Sequence, residues 1–270
     1  SPLEPAPPGP HIHLDMTLEL ITIPCRSDNY AFLVHDAATG ETALFDAPET
    51  APIKAELDAR GWTLTDLFIT HHHGDHIEGV DDLRAAYGCR VVGGKHDAGR
   101  LPALDKAVEP GDALRFAGHE VQVFAADGHT IGHIAFYIPD AKAAFTGDSL
   151  MALGCGRLFE GTPEQMWGTL SRLMALPDDT LICSGHEYTA ANARFALSVE
   201  PQNADLIHRA EQTTKLRENG EFTVPSLLSL EKATNPFLRA GLPEMKKAVD
   251  MEHDGDAEVF AAIRRAKDNF

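Results

Sequence analysis

Short β-rich runs alternate with helical patterns along the first two thirds of the chain, and helices alone follow. From Met16, the runs Leu18 to Ile23, Asn29 to His35 and Thr42 to Phe45, broken by Ser27-Asp28 and Gly40, predict a strand meander. An amphipathic helix from about Ala51 to Arg60, closed by Gly61, leads to the buried-strand run Leu67-Phe68-Ile69. Val80 to Tyr87, closed by Gly88, reads as a helix, Arg90 to Val92 as a strand, and Asp97 to Leu104 as a short helix. Ala113 to Phe116, His119 to Ala125, Ile134 to Ile138 and Ala143 to Phe145 form a second meander. Gly147, Gly154, Gly156 and Gly161 mark an irregular connection before a helix from Pro163 to Leu176, and Thr180 to Cys183 is the last strand. Two strand-rich halves, each covered by helices, predict an α+β fold built as an αββα sandwich.

After Tyr188 strand signals almost vanish. Helical patterns run from Ala190 to Val199, Asn203 to Glu218, Pro225 to Lys232 and Ala257 to Lys267. The expected division is therefore a sandwich over residues 16–189 and a helical domain over 190–270. Residues 1–15 are proline-rich, carry His11 and His13, precede Met16, and are read as an expression remnant outside the fold.

Charge narrows the partners. Lys and Arg number 23 against 41 Asp and Glu, a net charge of −18 over 270 residues, which disfavours nucleic acid and anionic membranes and obliges any anionic substrate to find a local basic patch. The four cysteines, Cys25, Cys89, Cys155 and Cys183, lie far apart without CxxC spacing. A reducing cytoplasm and a monomer are the expectation, and no run of about eighteen apolar residues exists to span a membrane.

The chemistry concentrates in Thr70-His71-His72-His73-Gly74-Asp75-His76, directly after the apolar run. His71 and His73, two apart, lie on one side of an extended backbone, and His72 points away from them. Gly74 permits a sharp turn, so that Asp75 and His76 face a second point. The segment supplies ligands for two metal positions.

This pattern resembles the signature loop of the metallo-β-lactamase superfamily, whose members bind one or two metal ions. A third imidazole is needed at the first position, and on spacing either His129 or His133 of Gly128-His129-Thr130-Ile131-Gly132-His133 qualifies. The resemblance implies His129 as the ligand and His133 as loop support. It implies Asp148 as a carboxylate shared between the ions, and His186, again just after a strand, completes the second position. The expected sets are His71, His73, His129 and Asp148, and Asp75, His76, His186 and Asp148, holding two divalent ions, zinc first and iron or manganese as alternatives. Two such ions about 3.5 to 4 Å apart hold one water between them and lower its pKa toward neutrality, giving a bridging hydroxide without a separate protein base.

A more specific resemblance covers Met16 to Phe270. Gly154-Cys155-Gly156-Arg157-Leu158-Phe159-Glu160-Gly161, Gly185-His186-Glu187-Tyr188-Thr189, Asn235-Pro236-Phe237 and the tail Arg264 to Phe270 are similar to the glyoxalase II, or hydroxyacylglutathione hydrolase, family. It implies hydrolysis of S-D-lactoylglutathione and related acyl-glutathione thioesters to D-lactate and glutathione, with Arg157, Tyr188, Arg264 and Lys267 binding the glutathione moiety. Some members carry Lys and Tyr where this chain has Arg157 and Phe159, and Phe159 has no hydroxyl to donate. Asp46-Ala47-Pro48 departs from the usual Asp-Pro order, and Asp46 is expected to support the ligands rather than join them. A glutathione persulfide dioxygenase, with one iron and oxygen, is the competing enzyme class, and a non-catalytic metal-binding scaffold the competing non-enzyme class.

Overall fold

The computed structural model describes residues 11–13 and 17–270. One sheet runs in the order β1 (His11–His13), β2 (Leu18–Cys25), β3 (Asn29–Asp36), β4 (Thr42–Phe45), β5 (Asp66–Phe68), β6 (Arg90–Gly94) and β7 (Lys106–Val108). The first four are antiparallel, and β4 to β7 pair in parallel. The facing sheet contains β8 (Ala113–Phe116), β9 (His119–Ala125), β10 (Ile134–Ile138), β11 (Ala143–Gly147), β14 (Leu181–Ser184) and β15 (Ser226–Leu227). A two-stranded ribbon of β12 (Leu150–Met151) and β13 (Gly154–Cys155) lies between β11 and β14 in sequence.

Strand alternation divides the first sheet between two cores. Leu44, Leu67 and Val91 are register partners facing outward, where α1 (Thr50–Arg60) and α3 (Val80–Tyr87) cover them with Ile53, Leu57, Val80 and Leu83. Their neighbours Phe45, Phe68 and Val92 face inward to the second sheet. Phe45 stacks on Phe145 across the gap at 3.6 Å between ring centroids and on Phe68 at 4.9 Å. Each such buried ring contributes about 1.5 to 3 kcal/mol. Behind the second sheet, Ala135, Ala144 and Ile182 meet Met166, Leu170 and Leu173 of α4 (Pro163–Met174) and Phe260 and Ile263 of α9 (Asp256–Asp268). The layers are helix, sheet, sheet, helix.

The short α2 (Gly74–Ile77) opens behind the histidine-rich loop. The remaining helices are α5 (Thr189–Val199), α6 (Ala204–Glu218), α7 (Leu228–Thr234) and α8 (Pro243–Ala248), which with α9 make the helical region. Several short elements differ from the sequence reading. The helix expected over Asp97 to Leu104 is a 3-10 turn at Lys95–Arg100, and α8 and β7 were not anticipated. The helix expected from Pro225 starts instead at Leu228, because Ser226 and Leu227 first pair with Ile182 and Leu181 of β14. Of the segment 1–15, residues 1–10, 14 and 15 lie outside the described residues, whereas His11–His13 pair antiparallel with Leu20 and its neighbours and so take part in the sheet.

Candidate metal centre

The ligand candidates converge at one rim of the sandwich. The loop carrying His71 to His76 follows β5, His129 lies between β9 and β10, Asp148 follows β11 and His186 follows β14. Backbone bonds stitch these ends together: Tyr30 N–H donates to Gly185 O at 2.8 Å, Glu187 N–H to Asp28 O at 2.8 Å, and Ile134 N–H to Thr70 O at 3.0 Å. Glycines are required where the rim is tightest. A Cβ on Gly156 would lie 1.9 Å from the Asp148 carbonyl oxygen, and one on Gly185 2.5 Å from Asp148 Oδ1.

Asp148 is the hub. Its Oδ2 lies 3.6 Å from His71 Nε2, 3.2 Å from His76 Nε2, 3.4 Å from His129 Nε2 and 3.3 Å from His186 Nε2. His129 Nε2 also lies 3.1 Å from His73 Nδ1, and Asp75 Oδ2 lies 3.3 Å from His186 Nε2. One ligand atom from each of His71, His73, His129 and Asp148, and one from each of Asp75, His76, His186 and Asp148, fall within 4.8 Å of one another.

The far side of each ring fixes which nitrogen faces inward. His76 Nδ1 donates to Asp46 Oδ2 at 2.8 Å, His186 Nδ1 to Asp28 Oδ1 at 2.8 Å and His129 Nδ1 to the Arg157 carbonyl at 2.7 Å. Thr70 Oγ1 gives its hydrogen to Asp46 at 2.7 Å and therefore accepts from His71 Nδ1 at 2.9 Å. With Nδ1 holding the ring's one proton, a neutral imidazole so placed turns the lone pair of Nε2 to the centre. Among the described residues, buried His71 Nε2 and Asp148 Oδ1 have no hydrogen-bond partner. Such a donor set fits cations and little else.

Electrostatics agree with this division. Burial keeps His71 and His73 below the ordinary imidazole range, hence neutral. Burial alone would raise the Asp148 carboxyl, but the charge of His76 and contacts from His129, His186 and His71 hold it well below the usual carboxylate range. Burial would lower His186, yet contacts with Asp148 and Asp75 lift it to about 10, and His76 is raised by the same neighbour. Those are the protons a bound cation displaces.

Supporting residues follow the sequence reading in part. Asp46, in the left-handed region at φ 61°, accepts from Thr70 N–H at 2.8 Å as well as from Thr70 Oγ1 and His76, so its carboxylate is occupied. His133 stacks on His71 and accepts the Asp148 N–H through Nε2 at 3.1 Å, and His72 turns to Glu160 at 3.2 Å. Asp28 and Asn29 escaped sequence reasoning. Asn29 Nδ2 donates to Asp75 Oδ2 at 3.1 Å, but 46 positions separate them, and nothing local marks the first residue of a strand as a partner for a distant ligand.

A cavity of about 440 Å³ opens from this rim. His73, Asp75, His129, Asp148 and His186 line it together with Tyr188, and so do three cations close enough to repel one another, Arg157, Arg264 and Lys267. Tyr188 stacks on His186 with 4.7 Å between centroids, and exposed Phe159 stands edge-on to His73 and His129. Arg264 is buried, with Nη1 on the Cys155 carbonyl at 2.7 Å and Nη2 on Asp268 at 2.8 Å. Lys267 is lowered by partial burial and by the charges of Arg264 and Arg157. Exposed Arg194 adds to that repulsion and was not singled out from sequence.

An αββα sandwich with two His and Asp ligand groups around a shared carboxylate defines a metal-dependent protein of the metallo-β-lactamase class. The superfamily model for metallo-beta-lactamases matches residues 26–186, and that for the hydroxyacylglutathione hydrolase C-terminus matches 187–270. A hydroxyacylglutathione hydrolase of Ruegeria pomeroyi is 60% identical over 255 residues, covering 94% of this chain and 100% of that protein. Among solved structures, ETHE1 from Myxococcus xanthus aligns with TM-score 0.63 at 26% identity, over 93% of this chain and 97% of its own. A protein solved in a di-iron-bound form aligns with TM-score 0.52 at 27% identity, over 58% of this chain and 87% of its own. The chain belongs to the hydroxyacylglutathione hydrolase family of the metallo-β-lactamase superfamily.

Proposed function

We propose that the protein hydrolyses S-D-lactoylglutathione and related acyl-glutathione thioesters, releasing the hydroxy acid and glutathione. The observation that carries this reading is one cavity lined both by the two ligand groups and by Arg157 and Lys267, cations that make no ion pair among the described residues. Glutathione bears two carboxylates, which pair with cations.

His71, His73, His129 and Asp148 would hold one ion, and Asp75, His76, His186 and Asp148 the other. Bound there, the ions supply Lewis acidity for the thioester carbonyl and bring a water within reach of ionisation at neutral pH. The chain's own groups do the rest. Asp148 sets the spacing of the two groups, Asp46, Asp28 and the Arg157 carbonyl keep Nε2 of His76, His186 and His129 turned inward, and buried surroundings strengthen each contact. Arg157, Lys267 and the Tyr188 hydroxyl anchor the peptide portion. Arg264 adds its field and holds the Cys155 carbonyl.

Zinc is the proposed occupant. The donor set suits iron and manganese as well, and a relative solved with two irons supports a pair. We further infer a substrate-binding role for residues 190–270 beside a catalytic unit over 16–189, a monomer, and a cytoplasmic setting without nucleic-acid or membrane partners. Four free, buried thiols support the last point. Among the described residues no helix is long and apolar enough to cross a membrane.

The test combines metal analysis with two assays, thioester loss and oxygen uptake. Two ions per chain with thioester cleavage are expected. One iron per chain, with oxygen consumed in place of thioester cleavage, would replace hydrolysis with the dioxygenase reading.

A further inference from the structure

The ribbon that joins Asp148 to Arg157 is gripped from the helical region. Its turn, Met151 to Gly154, is buried, and Leu153 is held at φ 56°. Four of the turn's backbone groups are taken up by side chains of helical-region residues. Asn235 Nδ2 donates to Met151 O at 3.1 Å and to Gly154 O at 3.0 Å, Asn192 Nδ2 donates to Ala152 O at 3.1 Å, and the Leu153 N–H donates to Glu231 Oε1 at 2.9 Å.

These partners are themselves fixed. Glu231 is fully buried, and its second oxygen accepts from Arg209 Nη2 and Ser226 Oγ, each at 2.5 Å. Asn235 Oδ1 accepts the Phe237 N–H at 3.0 Å, which orients the amide so that Nδ2 points at the ribbon. A buried carbonyl or N–H without a partner is unfavourable, so the turn has one well-satisfied position.

At its other end the ribbon touches the centre. The Gly156 N–H donates to Ser149 O at 3.0 Å, and Gly156 lies so near Asp148 that a Cβ would meet its carbonyl at 1.9 Å. The next carbonyl along, that of Arg157, orients His129. A shift of the turn therefore moves the shared carboxylate and one imidazole together.

We propose that Asn235, Glu231 and Asn192 are positioning residues for the metal rim, so that the helical region aligns the catalytic ligands as well as binding substrate. This rests on the two-ion reading of the rim. The experiment measures zinc affinity of the full chain by competition with a chromophoric chelator, together with kcat and KM for an acyl-glutathione thioester, in Asn235→Ala and Asn192→Ala. In folded Asn235→Ala, affinity for at least one zinc falls about 10- to 100-fold and kcat falls with it, while KM stays within about threefold. Asn192→Ala, which loses a single bond, shows the same pattern at smaller size and decides the matter by itself should Asn235→Ala not fold. Unchanged zinc affinity and kcat in a folded variant, or a rise in KM alone, overturns the proposal. A parent protein that binds two zinc ions without cleaving thioester would defeat the functional reading and leave the zinc comparison standing.

Discussion

The two ends of the cavity are built on opposite principles. At the metal rim His71, His76, His129, His186 and Asp148 are all buried, and each of these imidazoles has its outer nitrogen bonded before any ion or substrate arrives. At the mouth Phe159 is 66% exposed and Arg157 and Lys267 make no side-chain hydrogen bond or ion pair among the described residues. Folding has already met the cost of assembling charge at the first end, where the ligands are held in place. The second end leaves its cations uncommitted until an anion arrives. Changes at the rim should therefore appear in kcat and metal binding, and changes at the mouth in KM.

The hardest test of that division is Asp148→Asn. The variant keeps the shape but removes the negative charge of the group on which four imidazoles converge and turns one of its two acceptor oxygens into an NH2 donor. We expect kcat to fall by at least about 10²-fold with circular dichroism unchanged; turnover near that of the parent would mean the two groups do not act as a pair. Removing the ions with a chelator should abolish turnover and also lower the melting temperature. A site at a hundredfold excess of metal over its dissociation constant contributes about 2.7 kcal/mol, or roughly 5 to 10 °C for a chain of this size. Calorimetry before and after zinc is restored reads this directly.

Asp28→Ala tests the outward braces. His186 would lose the acceptor that fixes its tautomer, and we expect zinc affinity or kcat to fall about 10- to 100-fold, with partial recovery in Asp28→Asn because an amide oxygen still accepts from Nδ1. Zinc affinity and kcat in Asp28→Ala equal to those of the parent would show that the brace is dispensable.

What could be read from sequence follows the same contrast. The rim was legible because ligand chemistry is confined to few residue types and because strand ends share an edge once the period-two pattern is known; Thr70 to His76 announces itself in seven positions. Even there, the choice of His129 over His133 came from resemblance, and the structure separates them by what the second nitrogen touches. The braces were largely hidden. Asp28 meets His186 across 158 positions, and Asn235 meets Met151 across 84, contacts that only tertiary packing creates. The short strands β7, β12, β13 and β15 were equally invisible, since two or three residues carry no periodicity. At the mouth, the role of Arg264 as an anchor came from the resemblance alone, and the fold buries its guanidinium between Cys155 and Asp268, with Phe237 beneath it at 5.0 Å.

That placement separates two cations treated alike on sequence. Lys267→Ala removes a charge with no structural bond and should raise KM about tenfold, the size of one charge-assisted hydrogen bond, leaving kcat nearly unchanged. Arg264→Ala should raise KM and in addition lower the melting temperature, since the Cys155 carbonyl and Asp268 lose their partner. Equal thermal stability in the two variants would put Arg264 back among the free anchors.

The smallest expected effect lies at Phe159. Its ring stands 5.2 Å from that of His129 and 5.9 Å from that of His73, yet it presents most of its surface to the cavity mouth and has no polar atom to offer a peptide. Phe159→Tyr adds one hydroxyl on the solvent side without disturbing either imidazole. A neutral hydrogen bond is worth about 0.5 to 1.5 kcal/mol net, so KM for the glutathione thioester should fall about two- to tenfold while kcat holds. The gain should vanish with a thioester of a simple alkyl thiol, which has no peptide to receive the bond. A lowered kcat with both substrates would mean instead that the ring's contact with His73 and His129 belongs to the rim, and that the boundary between the two ends lies further out than Phe159.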